Sequence, residues 1–171
     1  GSREITLAIK GNYTIKTILY CTTICNTSEL SRILKTLDPN TEIIQISPEV
    51  YQKLAHRSTT EGIIALAQAK NHSLETLKFN NKNPLILVAE APEKPGNIGA
   101  LLRTSDAAGI DTILIANPKT DLYNPNIIRS SVGCVFTTTI ATGTTDQIIS
   151  FLKSQEIAIY CAALQASVHY N

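Results

Sequence analysis

The chain contains no methionine, no C-x-x-C pair, no apolar run of membrane-spanning length and almost no excess of either charge. Each absence removes a class. A structural zinc site draws its ligands in pairs, whereas Cys21, Cys25, Cys134 and Cys161 are scattered and His56, His72 and His169 stand alone. Buried free thiols and no metal are expected. Without a charged-then-apolar leader or a spanning segment, the expectation is a soluble cytoplasmic protein with no membrane partner. The net charge is +1, with eight basic and six acidic side chains up to Lys70 and seven and eight after it, so neither half is a basic nucleic-acid module of the obvious kind. Any such binding must come from a local patch. The missing methionine, Gly1-Ser2 and a helix-like Arg3 to Lys10 with no strand before it read as an engineered or incomplete piece of a longer protein.

Several sites are absent as well. A Walker phosphate loop needs G-K-[ST], which does not occur. Gly96-x-x-Gly99 resembles a dinucleotide fingerprint only weakly, because Lys94 stands where the first glycine belongs and the next strand ends at Ala116-Asn117 without an acid. A nicotinamide or flavin oxidoreductase is thus a weak rival. Ser130, Ser131 and Cys134 have no histidine nearby in sequence to activate them, which leaves acyl transfer with little support. There is no internal repeat.

What remains is regular alternation. Thr14 to Cys21 reads as a strand, followed by a helix capped by Asn26 with Glu29 and striped by Leu30, Ile33, Leu34 and Leu37. A strand over Glu42 to Ser47, a helix opening at Ser47-Pro48 and a buried strand over Gly62 to Ala69 complete a small α/β unit, residues 1–70. Residues 71–83, rich in Asn, Lys and Ser, read as a linker. Over residues 84–171 the spacing predicts strands Leu85 to Glu90, Thr112 to Ala116, Val135 to Ile140 and Ile157 to Leu164, with helices Asn97 to Ala108, Pro125 to Val132 and Thr145 to Ser154 between them. Such alternation implies an α/β fold, a parallel sheet with helices on both faces. The first of these strands is a nearly continuous apolar run, the pattern of a strand covered on both sides.

If Asn97 caps its helix, then Ile98, Leu101, Leu102, Ser105 and Gly109 form the stripe facing the sheet, and Arg103 points away from it. Gly99, one turn earlier on nearly the same side, then leaves bare backbone that a ligand or partner chain can approach. From spacing alone Arg103 is an ordinary solvated arginine.

The motif residues carry more. Asn97, Gly99, Arg103 and Thr104 form N-x-G-x-x-x-R-T, and Asn124, Pro125, Arg129, Ser131 and Gly133 follow in Tyr123 to Phe136. Both segments resemble, in order and separation, the first two motifs of the SpoU (TrmH-like) RNA ribose 2′-O-methyltransferases of the knotted SPOUT class. Glu61 to Ala65 is similar to the last strand of the small RNA-binding domain that often precedes the catalytic one. The resemblance implies S-adenosylmethionine as cofactor, structured RNA (tRNA or rRNA) as substrate and a homodimer. It makes Arg103 and Asn97 the catalytic pair. Asn97 serves equally well as a helix cap. For RNA it points to Arg57, Ser58 and Thr59 in the polar loop before the last small-domain strand, and to Arg129. A solvated connector and a surface or interface ion pair are the alternatives there. Cofactor contacts would begin at Ala163 and Leu164. The third motif of the family, G-x-E-x-x-G-L-S, does not occur in the 171 residues, so the knot-forming segment is missing. This chain alone is expected to bind cofactor poorly and to be inactive. The rival from another class is a non-catalytic RNA-binding or dimerisation module with the same fold.

Overall fold

A computed structural model describes residues 1–56, 61–79 and 81–162. Helix α1 (Ser2–Lys10) leads into strand β1 (Ile15–Tyr20), helix α2 (Thr27–Leu34), strand β2 (Glu42–Gln45), helix α3 (Pro48–Leu54) and strand β3 (Ile63–Ala67). These strands form one sheet in the order β2-β1-β3, parallel between β1 and β2 and antiparallel between β1 and β3. Asn26 caps α2 by accepting from the backbone N–H groups of Ser28 and Glu29, and Pro48 occupies the first turn of α3 behind the Ser47 cap. Ile5 and Ala8 of α1 and Leu30 and Ile33 of α2 bury against Ile18 and Ile63 of the sheet.

The second sheet contains strands β4 (Ile86–Glu90), β5 (Thr112–Ala116) and β6 (Ile140–Gly143), all parallel in the order β4-β5-β6. Alternate residues of the central strand face opposite ways. Ile113 and Ile115 meet Ile98 and Leu102 of helix α4 (Pro95–Ala108) and Ile127 of helix α5 (Pro125–Ser130). Leu114 and Ala116 meet Ile148 and Leu152 of helix α6 (Thr145–Ser154). Helices therefore cover both faces.

The local expectations need four corrections. The strand buried along its whole length is β5, whereas Leu85 and Val88 beside and within β4 are 57% and 41% exposed, because among the described residues β4 is an edge with a neighbour on one side only. Helix α4 begins at Pro95 with Lys94 as its cap residue, two residues before Asn97: a proline in the first turn sacrifices no bond and sets φ for the helix. The stretch expected as a strand from Val135 to Ile140 is a 3₁₀ turn at Cys134–Phe136, with the strand displaced to Ile140–Gly143. Gly133, at φ 85°, turns the chain straight from α5 into that turn, and Val135 buries against α4 and α5 instead of pairing. The described part of the last expected strand, 157–162, is not a strand; Ile157 packs on the α6 core, while Ile159 and Tyr160 are exposed.

The segment read as a linker is docked. Ser73 bridges to Thr142 of β6, Thr142 N–H donates to the His72 carbonyl at 2.7 Å, and Leu74 and Leu77 pack on the α6 core. The two sheets also share an interface, where Tyr13 of the small unit meets Tyr123 and Phe136 edge to face.

Candidate functional site

Arg103 is exposed on α4, and the only ion pair among the described residues joins the N-terminus to Glu4. Its guanidinium is therefore free of any described carboxylate. Which part of the helix lies open beside it differs from the expectation. A Cβ on Gly99 would stand 1.9 Å from Ser130 Oγ and 2.7 Å from Ser131 N, so Gly99 is buried by the close approach of α5. The open position is Gly96, seven residues before Arg103 on the same helix face, where an added Cβ meets nothing within 4 Å. Gly96, Asn97, Arg103 and Thr104 are the exposed positions of this segment of α4. Asn97 is exposed in the first turn and its side chain makes no hydrogen bond among the described residues. Six residues of helix place it about 9 Å along the axis from Arg103 and about a third of a turn away around it. The two do not converge on one atom, although one extended ligand can touch both.

The second motif works mostly on the fold. Asn124 caps α5 by accepting from Asn126 N–H at 2.9 Å. Ser131 is fully buried and donates to the Ile128 carbonyl at 3.0 Å. Gly133 takes the left-handed conformation under Leu7 of α1. Arg129 points outward, lining a cleft of about 530 Å³ between the two units with Tyr51, Ile64, Ala65 and Phe136. Arg57, Ser58, Thr59, Ala163 and Leu164 lie outside the described residues.

Sequence reasoning passed over a cluster at the carboxyl ends of the second sheet, where ligands of open parallel sheets collect. Asn117 Nδ2 donates to Glu90 Oε1 at 2.9 Å and to Thr145 Oγ1 at 2.7 Å, and Thr145 Oγ1 donates to Glu90 Oε2 at 2.6 Å. These bonds from Thr145 and Asn117, with a smaller contribution from Lys119, hold the Glu90 carboxyl below the usual carboxylate range. Ala91 and Asn117 leave β4 and β5 at φ 41° and 46°, a left-handed turn that is strained for residues with a side chain. No sequence signal marks this cluster, because its members are 27 and 28 residues apart and belong to three elements.

A junction network ties the units together. Lys70 N–H donates to Tyr123 Oη at 3.0 Å, Tyr13 and Tyr123 hydroxyls lie 3.0 Å apart, and His72 Nε2 is 2.8 Å from Tyr123 Oη while its Nδ1 is 3.1 Å from the Ile140 carbonyl. A carbonyl only accepts, so His72 Nδ1 carries a proton. In neutral His72 the Nε2 then accepts from Tyr123, which accepts from Tyr13 and Lys70 in turn. Burial first, and then this contact with Tyr123, push the Tyr13 hydroxyl far above the ordinary phenol range, so it remains a donor. Among the described residues no three His, Cys, Asp or Glu side chains gather as metal ligands, and no helix is long and apolar enough to cross a membrane.

Comparison with known proteins agrees with this geometry. Residues 1–65 match the MRM3-like substrate binding domain, and residues 84–171 match the SpoU rRNA Methylase family. The chain is 24% identical over its whole length to the 23S rRNA (guanosine(2553)-2′-O)-methyltransferase RlmP of Bacillus subtilis, of which it spans 64%. It is 28% identical, over 80% of its length, to the 23S rRNA (uridine(2479)-2′-O)-methyltransferase of Streptomyces viridochromogenes, of which it spans 47%. A crystal structure of an RNA 2′-O ribose methyltransferase superposes with a TM-score of 0.73 at 33% identity, covering 91% of this chain and 58% of the other. With half of its residues matched by that model and an α/β fold shared with a solved member, the chain belongs to the SpoU rRNA methylase family.

Proposed function

We propose that the protein to which these residues belong transfers a methyl group to a ribose 2′-hydroxyl of structured RNA, rRNA or tRNA, with S-adenosylmethionine as donor. The observation that carries this reading is Arg103: an exposed guanidinium with no ion-pair partner among the described residues, on the open face of α4, inside the first family motif. An arginine stays protonated in water and is a poor base. Its fork instead grips the phosphate next to the target ribose and stabilises negative charge as the hydroxyl oxygen attacks. That phosphate would accept the hydroxyl proton as the ribose oxygen becomes the nucleophile. Asn97 helps to orient the ribose, and residues 57–59 with Arg129 hold the flanking backbone.

The cofactor, when bound, supplies the sulfonium methyl. Glu90, Asn117 and Thr145 suit a ligand that combines positive charge with hydroxyl groups, because an ionised carboxylate, a neutral amide and a hydroxyl meet at the carboxyl ends of adjacent strands. They would hold it together with Ala163 and Leu164. Homodimeric assembly belongs to the same reading and is supported by the family resemblance; a cytoplasmic location is proposed with it. Substituting Arg103→Ala in the full-length protein should lower methyl transfer by about 10²–10³-fold, the range seen when one charge-stabilising donor is removed. Its circular dichroism should stay unchanged, because the side chain is exposed. Near-normal turnover would refute the assignment.

A further inference from the structure

Leu7 of α1 packs on Gly133, where an added Cβ would stand 2.6 Å from Leu7 Cδ1. Arg3 lies four residues before Leu7 and Lys10 three after it, so both project from the same helix face, and both are exposed. Both α1 and α4 border the 3₁₀ turn Cys134–Phe136. Arg103 stands one turn beyond Gly99, which touches Ser130 and Ser131 just before that turn; Arg3 and Arg103 both act to favour the Cys134 thiolate, although burial first, and then Asp106, outweigh them and leave the thiol raised. Two arginines from different units therefore flank one short turn. Neither has a described carboxylate within 4.0 Å; Glu4 is taken by the N-terminus, and Asp106, three residues beyond Arg103 on α4, acts on the Cys134 thiol.

Cations held near one another without carboxylate partners repel, and a polyanion laid across them relieves that repulsion while releasing its own counterions. Resting on the RNA methyltransferase reading, we infer that the RNA backbone crosses the boundary between the two units over the Cys134 turn, with Arg3 gripping a phosphate next to the one held by Arg103. Lys10 extends the same track along α1. The contact is to phosphate and carries no base information; it sets affinity and register, so that the ribose offered to Arg103 is chosen by where the backbone lies. Because α1 belongs to the substrate unit and α4 to the catalytic unit, the grip works only while the two are docked.

The test is a titration of a fluorescent RNA hairpin with this chain across a salt series. Arg3→Ala should bind several-fold more weakly at low salt and lose one phosphate contact, which reduces the slope of log affinity against log salt by about 0.7–0.9. Arg3→Lys, which keeps the charge, should restore most of the slope. If Arg3→Ala disturbs α1 by circular dichroism, Arg3→Gln serves in its place. Wild-type binding with unchanged affinity and slope in the charge-removing variant overturns the inference alone. A wild-type chain that binds no RNA even at low salt refutes the functional reading itself, and the inference with it.

Discussion

Gly99 and Ser130 are in direct contact: the α4 backbone at Gly99 lies so close to α5 that a single added carbon would overlap the Ser130 hydroxyl at 1.9 Å. A glycine expected to be open to ligand is the point where the two motif helices touch. Gly99→Ala carries two opposing effects. Helix propensity favours alanine by about 1 kcal/mol, while overpacking costs about 1–3 kcal/mol. Ser130 Oγ can swing aside, but Ser131 N at 2.7 Å is backbone and cannot. The variant should therefore be destabilised by up to about 2 kcal/mol net, read as a lowered urea midpoint; a raised midpoint would contradict the packing.

Tyr123 offers a second handle. Its hydroxyl is bonded to Tyr13, His72 and the Lys70 backbone at once. Tyr123→Phe keeps the ring contacts with Tyr13 and leaves those polar groups short of a partner, at a cost of about 1–3 kcal/mol. Hydrogen exchange should quicken at Lys70 and around His72, on both sides of the junction. Protection equal to wild type would show that the ring packing alone joins the units.

The Glu61 carboxyl accepts the Ser2 hydroxyl at 2.8 Å and the Ser2 backbone N–H at 2.5 Å, which together hold it below its usual value of 4.5, against a smaller opposing effect of burial. A depressed acid stabilises the fold above its unfolded pKa and loses that contribution as pH falls through the folded one. The stability difference between wild type and Glu61→Gln should thus be constant from pH 7 down to about 5 and shrink below 4.5. Urea midpoints across that range measure it, and a difference that grows in acid would reverse the sign of the argument.

Thiol labelling tests the turn beneath the two arginines. Cys161 is exposed, Cys21 and Cys25 are buried, and burial together with Asp106 keeps the Cys134 thiol protonated above its ordinary range. At pH 8, mass spectrometry should find Cys161 alkylated first and Cys134 well behind it, since the thiolate is the reacting form. Adding structured RNA should slow Cys134 further and leave Cys161 unchanged.

Much of this was written in local sequence. Strand β5 and helix α6 fall on their expected residues, and Asn26, Ser47, Asn124 and Thr144 all cap helices through their side chains, because capping and periodicity act within a few residues. The family motifs stood in plain order as well. Where one local signal failed, either a neighbouring signal or a distant element had overridden it. Asn97 has the chemistry of a cap, yet Pro95 starts the helix earlier. Val135 to Ile140 has the composition of a strand, yet Val135 is taken into the core between α4 and α5.

By itself the sequence determined the alternation of strands and helices, the two motifs and the chemical identity of the candidate groups, since each depends on residues near one another along the chain. Only the tertiary structure decided that α5 closes over Gly99, that Asn117 and Thr145 meet Glu90, and that α1 and α4 meet the same turn. Periodicity states that a residue is covered without naming what covers it, and contacts across 100 residues exist only once the core has packed.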